Sequence, residues 1–211
     1  MVAGLGFKIV EDKPDLVLSY GGDGTMMLAE SSFPGIPKVI LKKDGSICKK
    51  CSSLSNKEVL KRIKKGNYEI EKLWKLKVLV AGESLFGMND IIIHNKDARH
   101  AIRYKVWVND REMSSTIIGD GVVVATPFGS TAYYRSITDS FFETGMGLAF
   151  NNSIEQSDHV VLREDSKIKI KIIRGPVVVY ADNQLEFIDA KEGDEIKIKK
   201  SNIVAKILKV N

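Results

Sequence analysis

The chain has 211 residues, 44% hydrophobic and 28% charged, which supplies enough apolar material for a sizeable core and excludes disordered and fibrous compositions. No apolar run approaches the roughly 20 residues of a membrane-spanning helix. The start, Met1-Val-Ala-Gly-Leu-Gly and then charge, lacks the pattern of a secretory leader, so a cytoplasmic protein without membrane contact is expected. The net charge of +5 favours anionic partners, but much of the excess sits in the Lys-Ile alternations Lys167–Ile172 and Glu195–Lys200. These read as wetted strand faces rather than a nucleic-acid track, because a period of two buries one face and exposes the other.

In chain order, Asp15–Tyr20 is a nearly continuous apolar run ending at Gly21-Gly22, the pattern of a buried parallel strand that feeds a tight turn. Thr25–Phe33 reads as a helix and Lys38–Leu41 as the next strand. Cys48 and Cys51 form one C-x-x-C in a lysine-rich stretch. One pair is half of a typical zinc site and lacks the flanks of a thioredoxin-like motif. Ordinary free thiols are expected, with metal or redox chemistry as the alternatives. Ser55 and Glu58 make a capping box; the helix it opens carries Val59, Leu60 and Ile63 on one face and stops at Gly66.

After about Leu73 the texture changes to short β-branched runs between Gly, Asn and Asp turns. Lys77–Val80, Asp90–His94, Tyr104–Val108, Gly121–Ala125, Lys167–Ile173, Val177–Tyr180, Glu195–Lys199 and Ile203–Leu208 are the strand candidates. Such density predicts a β-sandwich or related all-β domain, interrupted by one helix from Thr131 to about Phe142. Two domains follow, an α/β domain over residues 1–73 and the β domain over 74–211, with the last strand able to return to the first domain. Trp74 and Trp107 are expected as core anchors.

Gly21-Gly22-Asp23-Gly24-Thr25 lies where a strand gives way to a helix, the place at which open parallel sheets bind ligands. Glycines let backbone N–H groups approach a polyphosphate, and the helix N-terminus adds partial positive charge. A carboxylate among such amides repels phosphate unless it also holds magnesium or accepts the proton of an attacking hydroxyl. Both roles point to phosphoryl transfer; a turn that only needs glycine conformations is the bland reading. No Walker lysine follows these glycines, and Gly4-Leu5-Gly6 lacks the third glycine of a dinucleotide fingerprint.

The same loop resembles that of diacylglycerol and sphingosine kinases and, more loosely, of phosphofructokinases. Three further segments narrow the resemblance to the NAD kinase family. Gly87-Met88-Asn89-Asp90 followed by Ile-Ile-Ile-His is similar to its Asn-Glu motif, with Asp90 for Glu. Gly119–Tyr133 is similar to its longest signature, with Phe128 in place of a small residue, and Ala181-Asp182-Asn183-Gln184 resembles its late Asp-Gly-Gln turn.

The resemblance implies a Rossmann-like α/β domain followed by an all-β sandwich, the NAD kinase-like fold, and homo-oligomers, dimers or tetramers. It implies transfer of a phosphoryl group from ATP or inorganic polyphosphate to the 2′-hydroxyl of the adenosine ribose of NAD, with Asp23 as general base. Gly21, Gly22, Gly24 and Thr25 would cradle the donor phosphates, and Gly24 would also lie beside NAD. Asn89 and Asp90 would bind the adenosine portion, and Asp120 the nicotinamide side, from its own or a neighbouring subunit. Thr131, Ala132, Tyr133, Tyr134, Arg135 and Ser136 would wrap the dinucleotide, with His100, Ala149 and Gln184 as further contacts. No protein-borne metal site is implied; a divalent ion, Mg2+, arrives with the donor.

Bland rivals stand beside these roles. Asn89-Asp90 could be a turn before a strand and one of Tyr133 and Tyr134 core filling, whereas for Thr126–Thr131 strand exit and cap are compatible with a ligand site and both are expected together. The chain departs from the family pattern in beginning close to the first signature, in lacking a Leu-Gly-Phe turn around Lys42–Cys51, and in Ser136-Ile-Thr-Asp-Ser replacing a Gly-Gly-Pro stretch. A lipid or sugar kinase of the same superfamily and a dinucleotide-binding regulatory module are the alternative functions.

Overall fold

The computed structural model of the chain describes residues 2–113, 115–154 and 159–211. Its described strands are, in order, β1 (Val17–Gly21), β2 (Lys38–Lys42), β3 (Glu69–Val80), β4 (Glu83–Gly87), β5 (Asp90–Asn95), β6 (Ile102–Val108), β7 (Arg111–Glu112), β8 (Ile117–Gly119) and β9 (Gly121–Ala125). They continue with β10 (Met146–Asn151), β11 (His159–Leu162), β12 (Lys167–Arg174), β13 (Val177–Ala181), β14 (Phe187–Ala190) and β15 (Glu195–Lys209). The α-helices are α1 (Asp23–Ser32), α2 (Asn56–Lys64) and α3 (Tyr133–Thr138). Two compact units result: Met1–Leu73 with Ile203–Asn211, and Trp74–Asn202.

In the first unit β1 runs parallel to β2, pairing Val17 with Lys38 through Gly21 with Lys42, and Ile207 of β15 pairs in parallel with Lys38. Val39 and Leu41 of β2, Val59, Leu60 and Ile63 of α2, and Leu208 and Val210 form its core. The Ser55 hydroxyl caps α2 by accepting the Glu58 N–H at 3.3 Å, as its capping box predicts. Lys38 is not the wet end of an apolar run but is fully buried. Its ammonium meets the Glu30 carboxylate of α1 and the Ile36 carbonyl at 2.8 Å, which satisfies a charge that would otherwise be costly to bury.

Two corrections fall in this unit. Cys48 and Cys51 are joined in a disulfide rather than standing as free thiols, because the turn brings their Cα atoms to 5.6 Å, within bridging range. The runs Glu195–Lys199 and Ile203–Leu208 are one strand, since Lys200-Ser201-Asn202 contains neither Gly nor Pro to break the ladder.

The second unit is a sandwich. One layer pairs β15 with β12, β12 with β6, and β3 with β15 and β4. The other is an antiparallel sheet in the order β11-β10-β9-β5-β13-β14. Inward residues of both layers interdigitate, among them Leu76, Val78, Tyr104, Ile170 and Ile196 from the first and Ile91, Ile93, Val124, Leu148 and Val179 from the second. Alternation holds on β12, where Ile168, Ile170 and Ile172 are buried between outward lysines. Trp74 packs on this core, but Trp107 does not anchor it: it faces outward, with the Lys169 ammonium 4.5 Å from its ring centre. The helix expected from Thr131 to Phe142 shrinks to a 3-10 turn, Gly129–Thr131, and the six residues of α3, because Asp139 adopts a left-handed conformation with φ 51° and closes it. No described helix is long and apolar enough to cross a membrane.

Candidate active site

The first unit carries the glycine-rich loop. α1 begins at Asp23, two residues earlier than the apolar pattern suggests, so the carboxylate stands in the first turn, where the helix dipole favours negative charge. Asp23 Oδ1 accepts the Lys49 N–H at 2.9 Å, and the Asp23 N–H donates to the Ile47 carbonyl at 3.1 Å. The Ser46 hydroxyl adds a bond to the Gly21 carbonyl at 3.2 Å. The disulfide-closed turn of Ser46–Cys51 therefore lies against the loop. A Cβ on Gly22 would come 2.2 Å from the Ile47 oxygen, so that glycine is required by the approach of the protein's own chain. Gly21 and Thr25 also touch: a Cβ on Gly21 would meet the Thr25 hydroxyl at 2.3 Å.

The second unit carries the Asn89-Asp90 pair, organised by Asp182. Its carboxylate accepts the backbone N–H groups of Met88 and Asn89 at 2.7 Å each and of Asp90 at 3.2 Å. Burial pushes this carboxyl up from its ordinary value, against the three amides and Lys75, which pull it down. Gln184 donates to the Phe86 carbonyl at 2.7 Å, and Thr126 donates to the Met88 carbonyl at 2.6 Å while accepting the Gly129 N–H at 3.1 Å. Thr126 is thus both strand exit and cap. A Cβ on Gly129 would lie 2.1 Å from the Asn89 oxygen, so the signature turn and the Asn89 turn are in backbone contact.

This framework fixes Asn89 and Asp90, both buried, at the head of β5. Asn89 Oδ1 is buried and has no hydrogen-bond partner, an acceptor awaiting a donor. On the same face Tyr133 accepts a bond from Asn151 Nδ2 at 3.0 Å; Asn151 also lies 3.4 Å from His94 Nε2. Burial first, then the charges of Asp120 and Asp90, push the Tyr133 hydroxyl above the ordinary phenol value, while the Asn151 bond pulls it down. Asp120 accepts from Asn152 at 2.7 Å and from Asn95 at 3.4 Å.

The remaining expected contacts divide. Ala149 is fully buried in β10, and the Tyr134 ring is fully buried against Phe142 and His159, at 5.1 and 5.8 Å between centres, so it is Tyr134 that fills core beneath the site. Thr131, Arg135 and Ser136 are exposed, Ala132 is half-buried, and the Ser136 hydroxyl donates to the Tyr133 carbonyl at 2.7 Å. His100 sits in an exposed turn 3.3 Å from Asp97, with its carbonyl bonded by Asn95. Sequence reasoning missed Asp182 and Asn151 as organisers, while it read Thr126 as strand exit and cap; the Asp-Asn-Gln turn was the one signal for Asp182.

An α/β unit with a strand–Gly-Gly-Asp-Gly-Thr–helix loop, together with a β-sandwich presenting an Asn-Asp pair, defines a kinase-type nucleotide-handling fold. The ATP-NAD kinase C-terminal domain matches residues 88–210. The NAD kinase of Sulfurisphaera tokodaii is 30% identical, over 97% of this chain and 85% of its own. The chain belongs to the NAD kinase family. The bifunctional NADP phosphatase/NAD kinase of Methanococcus maripaludis is 30% identical over 92% of this chain, which spans only 36% of that protein. The crystal structure of yeast NADH kinase complexed with NADH superposes with a TM-score of 0.82 at 22% identity, over 94% of this chain and 62% of that one, and shares the fold.

Proposed function

We propose that the chain transfers a phosphoryl group from ATP or inorganic polyphosphate to the 2′-hydroxyl of the adenosine ribose of NAD, giving NADP. The observation that carries this reading is the buried, unpartnered Asn89 Oδ1 beside Asp90, held by the Asp182 cradle. A ribose supplies hydroxyl donors to an acceptor such as Asn89 Oδ1. Names of relatives over most of their length agree, as with the Sulfurisphaera tokodaii NAD kinase.

Asp23 is held by the Lys49 amide at Oδ1, which leaves Oδ2 to receive the proton of the incoming hydroxyl. The ribose oxygen forms its bond to the terminal phosphorus as the bond from that phosphorus to its bridging oxygen breaks, and the proton passes to Asp23. A divalent ion, magnesium, would arrive with the donor phosphates, whose charge it would neutralise. Tyr133 and Asn151 offer a polar wall for the dinucleotide. The same reading makes the protein a cytoplasmic homo-oligomer.

The test is incubation with NAD, magnesium and either ATP or polyphosphate. NADP should form, and Asp23→Asn should lower turnover on the order of 10²–10⁴-fold while calorimetric NAD binding persists. Near-normal turnover in the variant removes Asp23 as the base. NAD binding without NADP under any donor assigns a regulatory module instead.

A further inference from the structure

In the second unit the outward lysines of β12 and β15 stand opposite one another. Lys167 pairs with Lys199 and Lys169 with Lys197, two like-charge pairs at successive same-face positions of one antiparallel ladder. Directly opposed like charges destabilise a sheet. With Lys77 of the adjoining β3 they line a groove of about 310 Å³ floored by Leu79, Ile168 and Ile198. Five lysines thus line one space, with Asp110 as the one carboxylate lining it among the described residues; the Lys77 ammonium lies 5.6 Å from the Phe86 ring centre and that of Lys169 over Trp107. Glu195, at 3.7 Å from Lys169 and 3.5 Å from Lys197, is shared between two of them. Lys77, Lys167 and Lys199 have no carboxylate at ion-pair distance among the described residues.

We infer that this groove is a binding site for clustered phosphates, either a free oligophosphate or the phosphate tail of a nucleotide. A compact polyanion would bridge Lys167 and Lys199 as Glu195 already bridges Lys169 and Lys197, and the groove's volume lies at the small-molecule end of ligand sites. A nucleic-acid strand is a poorer match, because base stacking needs an open aromatic face. The two tryptophans beside this sheet already carry ammonium groups, Lys169 at 4.5 Å from the Trp107 ring centre and Lys200 at 5.6 Å from that of Trp74. The groove is built from residues that have no part in the proposed transfer to NAD.

The chain contains two tryptophans, so Trp74→Phe leaves Trp107, which Lys169 touches, as a local reporter. Inorganic tripolyphosphate, ATP and a short single-stranded DNA would be titrated into this variant of the full chain. A saturable change in Trp107 emission with tripolyphosphate is expected, weakening with salt. Lys167→Gln with Lys199→Gln, which leaves the Trp107 contact in place, should weaken it at least about tenfold with NADP formation unchanged. A response to tripolyphosphate alone assigns free oligophosphate; an equal response to ATP assigns nucleotide phosphates. No saturable change, an equal response in the double variant, or a response to DNA alone overturns the inference, and none of these outcomes bears on the transfer reaction.

Discussion

Asp182 supports more of the candidate site than any residue that would touch a ligand. Three backbone N–H groups converge on one carboxylate, and the turn they form aims Asn89 and Asp90. An asparagine in its place would turn an N–H2 toward at least one of those amides and leave a buried donor unpaired, at a cost of about 1–3 kcal/mol. Asp182→Asn should therefore lower the urea midpoint, speed amide exchange at Met88–Asp90 and weaken NAD binding; an unchanged midpoint with unchanged affinity would show that the cradle is dispensable. The Asp-Asn-Gln turn marked the residue in the sequence but not this role, because the carboxylate and the Met88 amide are 94 residues apart and only the fold joins them. Asn89, Asp90 and Asp23 were legible, since each sits inside a short motif whose neighbours explain it. Cys48 and Cys51 were misread because spacing alone does not say whether a turn closes tightly enough for a bridge.

At the scale of elements, strands with a clean alternation or a β-branched run were readable, and β12 with its Lys-Ile period is the plainest instance. β10 was not, because Met146–Asn151 is buried on both faces, contains Gly147, and so shows no period at all. β14 and the β4 hairpin partner escaped for want of a β-branched run: Phe187–Ala190 holds only Ile188, and Glu83–Gly87 holds none. The loop–helix element of the first unit has its own steric requirement: the Ile47 carbonyl occupies the space a side chain at position 22 would need. Gly22→Ala should force the Ser46–Cys51 turn away from α1, costing about 1–3 kcal/mol and exposing the Lys49 amide. Amide exchange at Lys49 and Asp23 checks this, and protection equal to that of the parent protein would mean the turn relaxes without leaving Asp23.

The whole molecule is two units threaded by one chain, and β15 belongs to both, with Ile203 onward in the first unit. Ile207 pairs with Lys38, and Leu208 and Val210 complete the core against Val39, Leu60 and Ile63. A chain stopped at Asn202 should leave residues 1–73 rapidly cleaved by protease while the sandwich resists; equal resistance of both parts would show that the first unit stands without its returning strand. In hereditary terms, the sandwich is a nested insert rather than an appended module. A single crossover between related genes cannot exchange it whole, and only a double exchange, with breakpoints near codons 73 and 203, would carry it intact from one lineage to another.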